Sequence, residues 1–208
     1  MTERFGSGAP DLSHILGGLM LVLSFSLLSQ RRLTAMVLAC ALQSWALAAA
    51  ACWQATLQQA PSLIAAAIVT LAIPGLALPI RLHQIAVRQR TDRETDPPPG
   101  ILPGMALGVA IVTLAVLVVL PTTLPTQATT REDLALALSI ILLGLLVMVS
   151  RKTALPQVLG FLSMQNGLVL AVLGLANVPL LVEIAVAGQA LLACALLGAF
   201  DRLADPNR

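Results

Sequence analysis

Residues 160–174 read GFLSMQNGLVLAVLG. The stretch has no charge, no proline and no alternation of apolar with polar residues, so it reads as a helix and not as a half-buried strand. Extended to its flanking breakers, it runs from Pro156 to Ala176. A helix rising about 1.5 Å per residue needs about 20 residues to cross a hydrocarbon core about 30 Å thick, and this run has that length. A membrane span is the reading. Its centre nevertheless carries two adjacent amides, Gln165 and Asn166, and groups that bond water so well need a reason to sit in hydrocarbon.

The rest of the chain has the same character. Of its 208 residues, 58% are hydrophobic and 11% charged, and the mean hydropathy is +0.91, whereas a soluble domain is about half apolar and about a quarter charged. Backbone polar groups in a bilayer must be satisfied internally, which leaves helices or a closed barrel, and long runs without alternation exclude the barrel. The net charge is +2 with basic residues scattered through loops, so no nucleic-acid partner is expected. Cys40, Cys52 and Cys194 fall within apolar runs, lack CxxC spacing and read as small buried hydrophobes. The first apolar run is too long for a signal-peptide core, follows MTERFGSGAPD without a positive start and ends in SQRRL, so it stays as a helix.

Apolar runs between breakers give spans at 12–29, 33–55, 62–80, 101–120, 134–150, 156–176 and 179–200. The predicted fold is therefore all-α, a polytopic bundle of seven transmembrane helices. Asp11 is placed to cap the first, and Pro61, Pro156 and Pro179 sit at helix starts, where the missing N–H costs nothing. Threading the chain back and forth puts Arg31, Arg32, Arg81, Arg88, Arg90, Arg93, Arg151, Lys152, Arg202 and Arg208 on one face and only Arg4 and Arg131 on the other. Basic residues gather on the cytoplasmic side, so the N-terminus is expected outside and the C-terminus in the cytoplasm. Adding or dropping one helix would scramble that partition.

The organisation reads as an N-terminal three-helix unit over 1–80, a cytoplasmic loop RLHQIAVRQRTDRETDPPPG over 81–100, a fourth helix with the outer loop over 101–133, and a C-terminal three-helix unit over 134–208. No internal repeat is evident. With no tyrosine and only Trp45 and Trp53, an aromatic belt is nearly absent, which favours a subunit surrounded by other proteins.

Polar residues within the spans are few. Gln165, Gln189 and Gln43 all count to mid-depth, about 13–15 Å from the nearer helix end, whereas Glu183 lies about 6 Å from the outer end of the last span. Amides at one depth should bond each other, backbone carbonyls or water, which makes an interhelical clamp and a hydrated polar path the two readings of the cluster. Glu183 is either a proton-carrying acid or a side chain snorkelling to the outer interface. Gly160, Gly167 and Gly174 recur every seven residues and form a stripe for close helix packing. In TLAIPGLALPI, Pro74 releases the carbonyl of Thr70 and Pro79 repeats the effect, so a kinked or broken third helix is expected. His14 and His83 lie a bilayer apart and cannot form a haem pair.

The stretch SRKTALPQVLGFLSMQNGLVLAVLGLANVPLLVEIAVAGQALLACAL, residues 150–196, resembles the last two helices of the hydrogenase-4 component E family, a membrane subunit of formate hydrogenlyase-type complexes. The resemblance extends more weakly through RRL after the first helix, QSWAL in the second and the proline-broken third. It implies a C-terminal three-helix unit similar to the K subunit of complex I, lying beside antiporter-like subunits in the bacterial cytoplasmic membrane. In that family the position of Gln165 usually carries a glutamate, that of Gln189 an aspartate, and the third helix a lysine where this chain has Thr70 and apolar neighbours. Glu183, in LVEIA, is the acid that matches.

The resemblance therefore implies a non-catalytic membrane-arm subunit of an oxidoreductase complex. It would join antiporter-like and other membrane subunits, with soluble hydrogenase-like subunits on the cytoplasmic side. A nickel–iron centre and iron–sulfur clusters would belong to those partners, and this chain is expected to bind no metal or cofactor. Its proton path would be degenerate or water-mediated, because an amide bonds water but does not release a proton near neutral pH. The alternative is a self-contained small transporter or channel.

Overall fold

The computed structural model describes residues 9–88, 100–119, 128–175 and 179–204. Most of the 81–100 loop, the outer loop at 120–127 and the basic residues Arg4, Arg90, Arg93 and Arg208 lie outside these residues. Among the described residues all regular structure is helical, and seven helices are long and apolar enough to cross a membrane.

The helices are α1 (Ala9–Ser29), α2 (Leu33–Gln58), α3 (Pro61–Ala72), α4 (Leu78–Arg88), α5 (Ile101–Val119), α6 (Ala128–Ser150), α7 (Ala154–Leu173) and α8 (Pro179–Ala204). A π-helical turn, Ile73–Ala77, joins α3 to α4, so these two make one span. Several ends differ from the apolar runs. α1 begins at Ala9, which puts Asp11 inside its first turn instead of at its cap. α6 begins at Ala128, within the stretch read as outer loop, and the third span continues to Arg88. Hydropathy marks where a helix enters hydrocarbon, while the backbone hydrogen bonds continue into polar surroundings.

α1 packs against α2 and α6, α2 against α3 and α7, α3 against α8, and α6 against α7 most extensively of all. The first three spans and the last three thus lie together in one bundle, partnered α1 with α6, α2 with α7 and α3 with α8. α5 is the least buried span, leaning on α1 and α6 through Gly108, Ala115 and Val119.

The tightest seam explains itself by small residues. A Cβ on Gly144 would stand 2.6 Å from the Met164 amide nitrogen, and one on Gly160 would stand 2.8 Å from the Gly144 carbonyl oxygen. On Gly167 it would meet Ile141 and Ile140 at about 3 Å. Two backbones lie in direct contact here, so dispersion between main chains replaces side-chain interdigitation.

At one end of the bundle, the turn between α6 and α7 closes α1. Arg151, 2% exposed, donates to the carbonyls of Leu27 at 3.4 Å, Leu28 at 3.1 Å and Gln30 at 2.7 Å. These are acceptors left over at a helix C-terminus, where a cation is also favoured by the helix dipole. Burial pulls the guanidinium pKa down from its usual range, and the three carbonyls replace the water it has lost. At the opposite end, His14 lies 3.6 Å from Glu132 and 3.5 Å from Asp133, an α1–α6 ion pair when the imidazole is protonated.

The outer surface carries Ile15, Val22, Leu102, Val149, Leu180 and Leu191, each more than half exposed. Faces so apolar fit lipid or protein, not water. Of the three thiols only Cys40 is buried; Cys52 and Cys194 are exposed on that apolar surface, against the reading of all three as core. A periodic run gives the depth of a residue but not the side of the helix it occupies.

Candidate functional site: a polar layer across the bundle

The buried apolar residues form two separate clusters. One holds Met20, Leu47, Leu63, Ile140, Leu170 and Val186 among others; the second holds Leu27, Met36, Leu78, Leu143, Leu159 and Ala193. In five spans, the residues between the clusters are polar or irregular: Ser24 in α1, Gln43 and Ser44 in α2, Thr70 and the π turn in the third span, Ser163 and Asn166 in α7, and Gln189 in α8. The bundle therefore contains a polar layer between two apolar halves.

Hydrogen bonds run through it in two branches. Gln43 Nε2 donates to Ser24 Oγ at 2.6 Å and to the Met20 carbonyl at 3.1 Å, and Ser24 Oγ donates to that same carbonyl at 3.0 Å, tying α2 to α1. On the other face of α2, Ser44 Oγ donates to the Cys40 carbonyl at 3.2 Å and accepts from Asn166 Nδ2 at 3.2 Å. Gln189 Nε2 then donates to Asn166 Oδ1 at 2.6 Å. Asn166 in α7 thus holds α2 and α8 together.

Gln165, the neighbour of Asn166, is only half-buried and has no side-chain hydrogen bond among the described residues. Successive helical residues point about 100° apart, and on α7 that turn carries Asn166 into the core and leaves Gln165 at its edge. Asn166, not Gln165, is the partner of Gln189. Glu183 is also half-buried, six residues before Gln189, and no hydrogen bond joins it to the layer among the described residues. It lies level with the apolar cluster that contains Val182 and Val186.

The third span enters the layer through its backbone. Pro79 has no N–H, which frees the Gly75 carbonyl four residues back. The Trp45 indole Nε1 donates to that carbonyl at 2.9 Å. At Pro74 the helix widens into the π turn, with the Leu78 N–H bonding the Ile73 carbonyl five residues back. The helix is therefore widened at Pro74 and runs on through Pro79 without stopping. Gly75 lets the indole approach, since a Cβ there would stand 3.1 Å from Trp45 Cδ1 and 3.2 Å from the Thr70 carbonyl oxygen.

Among the described residues, Gln43 Oε1, Gln189 Oε1 and Ser163 Oγ are buried without a hydrogen-bond partner. Each such acceptor costs about 1–3 kcal/mol, so the layer is held together but incompletely satisfied. Among the described residues it contains amides, hydroxyls, an indole N–H and backbone carbonyls, and no carboxylate, amine or imidazole. Among the described residues no three His, Cys, Asp or Glu side chains converge as metal ligands. His14 and His83 lie at opposite ends, and two of the three thiols face outward.

The glycine stripe faces α6. A Cβ on Gly160 or Gly167 would collide with the α6 backbone and side chains, and one on Gly174 would stand 3.3 Å from Asp133 Cβ. Ser24, Ser44 and Ser163 escaped the sequence reading. A serine hydroxyl in a helix can bond the carbonyl four residues back, as Ser24 and Ser44 do, so it carries little polarity penalty and little signal. The one available hint was the adjacency of Ser44 to Gln43. No family model, curated protein or solved structure matches this chain.

Proposed function

We propose that the chain is a multi-pass protein of the bacterial cytoplasmic membrane that serves as a non-catalytic structural subunit in the membrane arm of a hydrogenase-4-like or complex I-like assembly. It joins antiporter-like subunits, and soluble partners on the cytoplasmic face carry the redox centres. The observation that carries the structural role is the Ser44–Asn166–Gln189 chain, which links three helices at mid-depth through groups that do not titrate near neutral pH. A carboxylate relay needs groups that take up and release protons in turn, and the layer holds none among the described residues. The assignment to that kind of assembly rests on the resemblance of residues 150–196.

Affinity purification in mild detergent tests the reading. Antiporter-like membrane subunits and hydrogenase-like soluble subunits should be retained with the tagged chain. Recovery as a monomer or homo-oligomer that transports a solute in vesicles would establish the transporter alternative instead.

A second reading, water-mediated proton passage, is favoured by the unpartnered acceptors Gln43 Oε1, Gln189 Oε1 and Ser163 Oγ, which can bond water. In the intact complex, Gln189→Asp would then change proton translocation; under the clamp reading it changes only stability.

A further inference from the structure

A groove of about 630 Å³ opens on the side of the bundle between α2 and α4, within the range of about 300–1,000 Å³ that ligand pockets occupy. Its wall is apolar along Val37, Leu38, Ala41, Pro79 and Ile80, and its end is polar, formed by Arg32, His83 and Gln84. Leu38 and Ile80 are 60% and 53% exposed, so the groove is open to the surrounding medium along its length. From Arg32 to Ala41 it follows nine residues of α2, about 13 Å, close to half the thickness of a hydrocarbon core of about 30 Å.

We propose that this groove seats one anionic phospholipid, with an acyl chain along α2 and α4 and the phosphate at Arg32, His83 and the first turn of α2. Charge selects the headgroup. Among the described residues no acidic side chain lines the groove, none lies in the first turn of α2, and the side chain of the N-cap residue makes no capping hydrogen bond. The first turn of α2, with the positive end of the helix dipole, stands at the same end of the groove as Arg32. The Gln84 amide and the His83 ring add N–H donors. Arg31 and Arg81 flank these groups in the chain, and Arg151 and Lys152 stand at the same end of the bundle. Basic pockets between spanning helices on one membrane face are sites where lipid phosphates collect. Depth, an apolar wall and a cationic end occur together here.

The test uses the full chain, delipidated in mild detergent, with native mass spectrometry of added phosphatidylglycerol and phosphatidylcholine of identical acyl chains. One phosphatidylglycerol should be retained in preference to phosphatidylcholine. Arg32→Gln should weaken it about fivefold, the effect of one cation at an anionic surface, and Arg32→Gln with His83→Gln further. These side chains are exposed, so the fold should survive. Lys152→Gln, outside the groove, should change nothing, and Leu38→Gln with Ile80→Gln should reduce retention of both lipids. Equal retention of the two lipids, a preference that survives the double substitution, an equal loss in Lys152→Gln, or capture of inorganic phosphate without lipid would each overturn the proposal. The readout needs no partner subunit, so it stands or falls separately from the membrane-arm reading.

Discussion

Gln165 and Asn166 differ by one position and by everything that follows from it. Asn166 is 1% exposed and satisfied by Ser44 and Gln189, whereas Gln165 is half-buried and unpartnered among the described residues. Removing Asn166 strands a donor on Gln189, and interhelical hydrogen bonds in membrane bundles contribute about 0.6 kcal/mol each on average. Asn166→Ala should therefore lower stability by about 1–2 kcal/mol, and Gln165→Ala by less than about 0.5 kcal/mol. Thermal or denaturant unfolding in detergent micelles checks both, and the order of the two effects decides the point. Equal losses would mean that the polar layer is not the clamp described. The sequence contained the amides, their depth and their unsuitability for proton transfer. It did not contain the choice between them, because helical phase relative to a neighbour is fixed by which helices meet.

At the scale of elements, glycine meant different things in different helices. Gly160 and Gly144 let two backbones touch, while Gly188, in a stretch of α8 equally rich in small residues, has nothing within 4 Å of an added Cβ among the described residues. Gly160→Ala must push α7 away from α6 and should cost about 1–3 kcal/mol, the usual effect of overpacking a close contact. Gly188→Ala meets open space and gains helix propensity, so it should be neutral or stabilising by up to about 1 kcal/mol. Thermal midpoints of the two variants against the parent chain read this directly. A destabilised Gly188→Ala would place a neighbour, such as another subunit, against that face. The period of seven over Gly160, Gly167 and Gly174 was legible in the sequence, and so was the disturbance at Pro74 and Pro79. The remedy for that disturbance was not legible, because the Trp45 indole reaches the Gly75 carbonyl from another helix, thirty residues away in the chain.

The whole molecule follows from charge and apolar length to a greater degree than its parts do. Seven runs became seven helices of spanning length, while the one-to-one partnering of the first three spans with the last three could not be read from periods alone. Contacts at the ends place Arg32 with His83, and Arg151 with the end of α1, so these basic residues share one end of the bundle. His14, Glu132 and Asp133 mark the other. With ten basic residues assigned to one face and two to the other, the crowded end should face the cytoplasm. After Cys52→Ser and Cys194→Ser remove the exposed thiols, Lys152→Cys and Thr56→Cys put one reactive thiol near each end. A membrane-impermeant maleimide applied to intact spheroplasts should label Thr56→Cys at once and Lys152→Cys only after permeabilisation. The reverse pattern would put Arg32, Arg151 and Lys152 outside. The positive-inside argument would then fail, and the proposed soluble partners would have to meet the acidic end of the bundle instead of the basic one.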